Sequence, residues 1–400
     1  MPEAPASHLD VDDGDWRALS QLGRWFQDEN RFDEADAAYR RALGYAANDE
    51  QTLFWLSELI WMRTADVTLA RAPLDAAIRL APGRLMLRLL RAKLMTAAGD
   101  LPGAYDGLVR AIENQPAGHI AAAQLAARFD AARGLWHAFR AHQLAPSYPG
   151  LATTLCLCHF AAGEPETAGQ MAAAILRDAP DDQQAIALEA LAWRLADDPR
   201  HCQLHDYQAL VGIHDDLPVP LSQLAGVLHD MHRLTTHPFG QSARHGAKTQ
   251  RSLLEVRHPA VQALIRAIDT PVRDHIGRLG AGDDPVRRRN TGGYALAEAW
   301  SVRLNPGGFH VDHVHPDGWL SCAVYVETPR AVDAGAGEGW LNFGRPGAPL
   351  PEPLDAELSV KPLPGRLVIF PSCMWHGTTP FGGDERRLAV GFDLLPAPPA

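Results

Sequence analysis

Residues 308–316 read Gly308-Phe309-His310-Val311-Asp312-His313-Val314-His315-Pro316. Side chains two apart on an extended chain point to the same face. His313 and His315 can therefore aim at one metal ion. His310 and Asp312 can do the same on the opposite face. Only one pair should line the interior of a small barrel, and periodicity alone leaves both open.

On either side the sequence reads as short strands: YALAEAWSVRL (294–304), LSCAVYVET (320–328), GWLNF (339–343), GRLVIF (365–370) and RRLAVGFDLL (386–395). Gly/Pro turns such as NPGG (305–308) and PLPG (362–365) separate them. Many short strands with turn signals predict a sandwich or barrel. A third ligand must come from a distant point, and His376 in GRLVIFPSCMWHGTTPF fits, where a strand runs into a loop ending at this histidine. Three protein ligands leave three positions open, which suits a non-haem Fe(II) oxygenase.

Arg387 shares one strand face with Ala389, Gly391 and Asp393, while Leu388, Val390, Phe392 and Leu394 share the other. An inward arginine beside small residues leaves room for a bidentate carboxylate. A dicarboxylate cosubstrate fits, one end chelating iron and the far carboxylate pairing with Arg387. Tyr325, on LSCAVYVET, is its expected hydroxyl donor. The competing use of Arg387 is an ion pair with Asp384 or Glu385. Cys322 and Cys373 have no base partner in the sequence, which disfavours cysteine catalysis.

Upstream, from about 15 to 205, the pattern is helical and repetitive. LSQLGRWFQDENRFDEADAAYRRAL (19–43) is a helix, a polar break and a second helix. Comparable units start at Leu87 and Leu151, with the turns AAGD (97–100) and AAGE (161–164) and a proline after the second helix at Pro116, Pro146 and Pro180. A period near 34 resembles tetratricopeptide repeats, whose stacked helix pairs share a core and leave a concave groove. Further helices are expected within 208–234, after a strand, and over 257–280. Histidines are unequally spread: five of the 18 precede residue 200. Most, including the near-helical set His229, His232 and His237, read as packing or surface residues.

The strand segments resemble the 2-oxoglutarate/Fe(II)-dependent oxygenases, and more narrowly a bacterial branch with a His-x-His-Pro motif and N-terminal tetratricopeptide-like repeats. The stretches that carry this are SVRLNPGGFHVDHVHPDGWLSCAVYVETP, GWLNFG and KPLPGRLVIFPSCMWHGTTPF followed by RRLAVGFDLLP. HPFGQSARHGAKTQ (237–250) resembles the element that precedes the barrel. The resemblance covers about 205–396. It implies a double-stranded β-helix (jelly roll), Fe(II) and 2-oxoglutarate, with the metal ligands at His313, His315 and His376 and the cosubstrate arginine at Arg387. The wider superfamily usually carries His-x-Asp or His-x-Glu, which His310-x-Asp312 mimics. Pro316 and the strand after it keep the branch register and favour His313/His315.

Composition bounds the rest. The 400 residues are enough for two domains: a helical repeat array over 1–205 and an oxygenase-like domain over 206–400. The net charge of −11 argues against nucleic acid or an anionic membrane as partner. Five cysteines make no disulfide framework, and Cys156 and Cys158 read as core residues. The acidic start, MPEAPASHLDVDDGDW, lacks the apolar core of a secretory signal, and no run of 18 apolar residues is present, so a cytoplasmic protein is expected. The expected function is an Fe(II)/2-oxoglutarate dioxygenase (a hydroxylase) using O2 on a protein or peptide side chain or on a small molecule. The repeats would recruit the substrate or a partner, and an oligomer is compatible with this. The alternatives are a non-catalytic interaction protein with a degenerate barrel, and a three-histidine cupin-like metal enzyme that does not use 2-oxoglutarate.

Overall fold

The computed structural model describes residues 15–397. The stretch 1–14, which holds most of the acidic start, lies outside the described residues, as do 398–400.

The first half is a run of antiparallel helix pairs: α1 (Trp16–Asp28), α2 (Phe32–Tyr45), α3 (Glu50–Thr64), α4 (Val67–Leu80), α5 (Leu85–Ala97), α6 (Leu101–Val109), α7 (Pro116–Ala126), α8 (Ala131–Leu144), α9 (Leu151–Ala161), α10 (Pro165–Asp178) and α11 (Gln183–Leu195). Aspartates start many of them. Asp49, Asp100, Asp130 and Asp182 each accept a backbone N–H of the first turn, satisfying donors the helix cannot. Gly99 and Gly163, in the two AAG turns, take φ of +85° and +74°, where an L side chain would be strained. Buried alanines let neighbouring helices approach closely, as at Ala35, Ala38 and Ala42 of α2. At Gly23 a Cβ would stand 2.6 Å from the Tyr39 ring, so α1 lies directly on that side chain.

Two short helices, α12 (Arg200–Leu204) and α13 (Tyr207–Leu210), lead into β1 (Gly212–His214) and α14 (Leu221–Met231). Then come β2 (Ala243–Lys248), α15 (Pro259–Ala267), α16 (Asp269–Leu279), β3 (Tyr294–His310), β4 (Leu320–Glu327), β5 (Leu341–Phe343), β6 (Leu358–Val360), β7 (Leu367–Pro371), β8 (His376–Thr378) and β9 (Arg387–Pro396). A six-stranded antiparallel sheet runs β1-β7-β4-β9-β3-β2, and a three-stranded one runs β6-β5-β8. The fold is thus a helical repeat array followed by an antiparallel two-sheet domain, as the strand and helix patterns require.

Three local expectations need correction. The 257–280 helix is two helices meeting at Ile268, because Pro271 has no N–H to continue the first. NPGG does not end a strand: β3 runs through it to His310. The chain bulges there, since Arg244 pairs with Phe309 while Gly246 pairs with Leu304, and Gly307 sits at φ +76°. His313 and His315 do not lie on a regular strand. They follow β3 in an extended link whose one ladder contact is the bridge His313–His376.

The two halves share apolar cores. Trp375, Val314 and Ala348 pack with Phe160, Leu188 and Leu191 of α9 and α11. Leu234 and Phe239 pack into α3–α5, where the Trp61 indole N–H reaches the His237 carbonyl at 2.9 Å. The segment carrying the histidines is therefore held against α9 and α11 of the helical array.

Candidate metal centre

His313 and His376 face each other across their bridge. The His313 N–H donates to the His376 carbonyl at 2.9 Å, and the His376 N–H donates back at 3.0 Å. His315 is fixed next to them by its own N–H, which donates to the Ser372 carbonyl at 2.9 Å. One possible ligand atom from each of the three rings lies within 4.8 Å of the others. His313, His315 and His376 are thus brought together by three backbone contacts, two of them reciprocal.

Each ring is also oriented. His313 Nδ1 lies 2.8 Å from the Val311 carbonyl, and His376 Nδ1 lies 2.9 Å from the Met374 carbonyl. Both contacts require a proton on Nδ1, which leaves Nε2 with a free lone pair. His315 Nδ1 lies 2.5 Å from Asp393 Oδ1. His315 Nε2 and His313 Nε2 are 3.3 Å apart, near enough for both to reach one ion. Burial, and then the adjacent imidazoles, hold His376 well below its ordinary pKa and His313 at about 3. Both rings are therefore neutral and able to act as ligands near neutral pH.

Strand alternation places Asp393 on the Arg387 face without giving it a role, and the structure supplies one. Besides His315, its carboxylate accepts from Ser321 Oγ at 2.8 Å, and Ser321 Oγ meets Ser372 Oγ at 2.9 Å. The β4–β9 register sets Ser321 beside Asp393 at one end and Tyr325 beside Ala389, next to Arg387, at the other. Gly391 separates these ends. A Cβ there would meet the Trp300 indole at 2.6 Å, so glycine lets Trp300 lie against the sheet, 5.7 Å from the His315 ring.

Arg387 is buried, with its guanidinium 4.9 Å above the Tyr325 ring. Its Nη1 donates to the Gly339 carbonyl at 2.8 Å, while its Nε and the Tyr325 hydroxyl, both buried, have no hydrogen-bond partner among the described residues. Glu385 pairs with Arg330 instead. Burial pushes the Tyr325 hydroxyl up, against the pull of Arg387, and pushes the guanidinium down. A buried cation and a buried hydroxyl left unsatisfied side by side are costly unless an anion completes them.

His310 and Asp312 are not part of this group. His310 Nδ1 meets Ser242 Oγ at 3.0 Å, and Asp312 pairs with Arg345 at 2.7 Å. His310 still lines the same cavity of about 590 Å³, which joins the histidines to Tyr325 and Arg387. His229 and His232 turn instead to Glu327 and Ser301. Burial raises the Cys322 and Cys373 thiols, the latter to about 12, which keeps them protonated.

Residues 298–393 match the family described as "Putative 2OG-Fe(II) oxygenase", in agreement with the resemblance read from the strand segments. That span contains all three histidines, Tyr325, Arg387 and Asp393. No curated protein matches the chain. Among solved structures, it is similar to a tetratricopeptide repeat protein from Parabacteroides merdae (11% identity, 48% of this chain, 78% of that one, TM-score 0.40). It is also similar to a Pseudomonas putida prolyl-4-hydroxylase (18% identity, 49% and 97%, TM-score 0.33). A third is a Trichoplax adhaerens prolyl hydroxylase in complex with a hypoxia inducible factor peptide fragment (14% identity, 51% and 92%, TM-score 0.34). Among the described residues no helix is long and apolar enough to cross a membrane.

Proposed function

We propose that the chain is a non-haem Fe(II)/2-oxoglutarate-dependent dioxygenase, with residues 206–400 folded as a double-stranded β-helix that does the chemistry and residues 1–205 recruiting its substrate. His313, His315 and His376 would hold Fe(II) through Nε2. Arg387 and Tyr325 would take the far carboxylate of 2-oxoglutarate. When bound, Fe(II) with 2-oxoglutarate supplies the means to activate O2 and hydroxylate an unactivated C–H bond.

The observation that carries the reading is the joint one: imidazoles oriented Nε2-inward share a cavity with an arginine–tyrosine pair that has no anionic partner among the described residues. The donor set suits a divalent transition metal and leaves coordination positions open. As metal ligands, imidazoles bring no charge of their own. Asp393, hydrogen-bonded to His315, adds negative charge one residue removed from the metal. Arg387 Nη1 is held by Gly339, so the guanidinium keeps its aim whether or not an anion is present. Trp300, Leu341 and Phe370 line the cavity and limit water there.

The test is succinate release from 2-oxoglutarate with Fe(II) and O2, comparing the wild type with His376→Ala. The wild type should release succinate above the level of free iron and the variant should not. Anaerobically purified wild type that binds neither Fe(II) nor 2-oxoglutarate would overturn the reading.

A further inference from the structure

Between the helical array and the histidine segment runs a groove of about 900 Å³. It shares Ser242, His313 and Val314 with the metal cavity, so the two adjoin along those residues. Its floor is apolar, built from residues such as Leu90, Ile120 and Leu157 on α5, α7 and α9. Three cations line it: Lys93 from α5, Arg128 just after α7, and Arg244 from β2. Among the described residues none of the three makes an ion pair. The acid lining the groove, Asp312, is committed to Arg345.

The chain as a whole carries 48 acidic against 37 basic residues, so a groove lined by three cations and one acid runs against its overall charge. Arg244 spends Nη1 on the carbonyls of Gln241 and Ala243, at 2.6 and 2.8 Å. Arg128 reaches the groove from the opposite wall. Burial, and then the charge of Arg128, weaken protonation of Arg244, so the two guanidiniums repel across the groove. Arg128 is solvent-accessible yet set deep among protein atoms, and desolvation lowers it too. Placing two like charges in a concave, partly dehydrated site costs stability. Glu58, which feels the charge of Lys93, is buried and accepts the Phe239 N–H, and Lys93 also borders a second hollow with Asp49 and Glu50.

We propose that this groove binds the substrate as an extended peptide segment rich in Asp and Glu, its carboxylates meeting Lys93, Arg128 and Arg244 while one of its residues enters the metal cavity beside Ser242 and His310. The inference names the substrate class of the oxygenase proposed above and rests on that reading for the word substrate. The binding itself does not depend on it. The apolar floor takes side chains between the acidic ones, and the cations set the sign of the partner. A nucleic acid would offer negative charge as well, but the groove cations stand over apolar helix residues, with no run of exposed aromatic rings among the lining residues for bases to stack on.

The test is fluorescence anisotropy on the full chain with three labelled probes of equal length: an alternating Glu-Ala peptide, an alternating Lys-Ala peptide and an oligothymidylate. The acidic peptide should bind at least about tenfold more tightly than the basic one at low salt, and added salt should erode the difference. Arg128→Glu combined with Lys93→Glu should reverse the peptide preference, and Arg128→Lys should largely keep it. A thermal melt on each variant separates lost binding from lost fold. Equal binding of the two peptides, tighter binding of the oligonucleotide, or a preference untouched by charge reversal in folded protein would overturn the proposal. Fe(II) and 2-oxoglutarate binding by the wild type, measured alongside, shows whether the oxygenase reading stands when the peptide preference fails.

Discussion

His315 Nδ1 and Asp393 Oδ1 lie 2.5 Å apart although the residues are 78 positions distant in sequence. A carboxylate on Nδ1 fixes the ring's tautomer, aims Nε2 inward and strengthens it as a donor. Asp393→Asn keeps the size and a hydrogen bond but removes the charge. It is expected to weaken Fe(II) binding by about 10–100-fold, with a melting temperature close to wild type. Competition titration with a chromogenic chelator measures this. Unchanged metal affinity in Asp393→Asn would show that His315 needs no such support.

Arg387 and Tyr325 make a separate prediction, because Arg387 starts β9, away from Asp393, and Tyr325 lies beside it on β4. Arg387→Ala should retain Fe(II) and lose 2-oxoglutarate affinity by about 2–3 kcal/mol, the worth of charge-assisted hydrogen bonds. Arg387→Lys should recover part of it, since an ammonium offers charge without the planar fork. Calorimetric titration with 2-oxoglutarate, done anaerobically, distinguishes the three proteins. If Arg387→Ala binds 2-oxoglutarate like wild type, Arg387 does not anchor the far carboxylate and the 2-oxoglutarate reading loses its support.

Much of this site is legible in the sequence. Same-face spacing puts His313 with His315, and alternation along RRLAVGFDLL puts Asp393 with Arg387. Repeat turns at Gly99 and Gly163 mark the helical array. What is not legible is long-range. The strand pattern does not reveal that His313 is held by a single reciprocal bridge to His376 rather than by a ladder. Nor does it reveal that Arg128, far upstream in the helical array, faces Arg244 across a groove. Such contacts follow from how the array packs on the sheets, and local periodicity carries no record of that. The NPGG stretch misleads for a related reason: glycine and proline signal a break in regular pairing but not whether the strand resumes.

Trp375 links that packing to the metal directly. It precedes His376, is buried against α9 and α11, and its indole N–H reaches the Ala187 carbonyl at 3.2 Å. Trp375→Ala should cost about 3–5 kcal/mol of stability. It should also weaken Fe(II) binding, because the β8 start is then free to shift. Trp375→Phe should keep most of the packing and lose chiefly the hydrogen bond. Chemical denaturation of both variants, with metal titration on whichever stays folded, checks the pair. An alanine variant as stable as wild type would mean that the array contributes nothing to holding the site.

Glu357 gives a pH dependence with a definite sign. Its carboxylate meets His201 Nε2 at 2.8 Å and the Tyr207 hydroxyl at 2.9 Å, with Arg194 Nε at 3.5 Å. These partners come from α11, α12 and α13, so the carboxylate ties the end of the array to the small sheet. Burial alone would raise the carboxyl. The hydrogen bond and charge of His201, then Tyr207 and Arg194, outweigh it and hold the group at about 2. A folded-state value below the unfolded one means the stabilisation is fully present above the unfolded pKa. It is lost as pH falls through the folded value. The interaction should therefore contribute on the order of 3 kcal/mol at neutral pH, since each tenfold change in proton affinity is worth about 1.4 kcal/mol. Glu357→Gln should be less stable than wild type by about that amount at pH 7. The gap should narrow between roughly pH 4.5 and pH 2, where wild type itself takes up the proton. Urea denaturation of both proteins across that range measures the gap, and a gap constant with pH would mean that the charge of Glu357 is not what stabilises the junction.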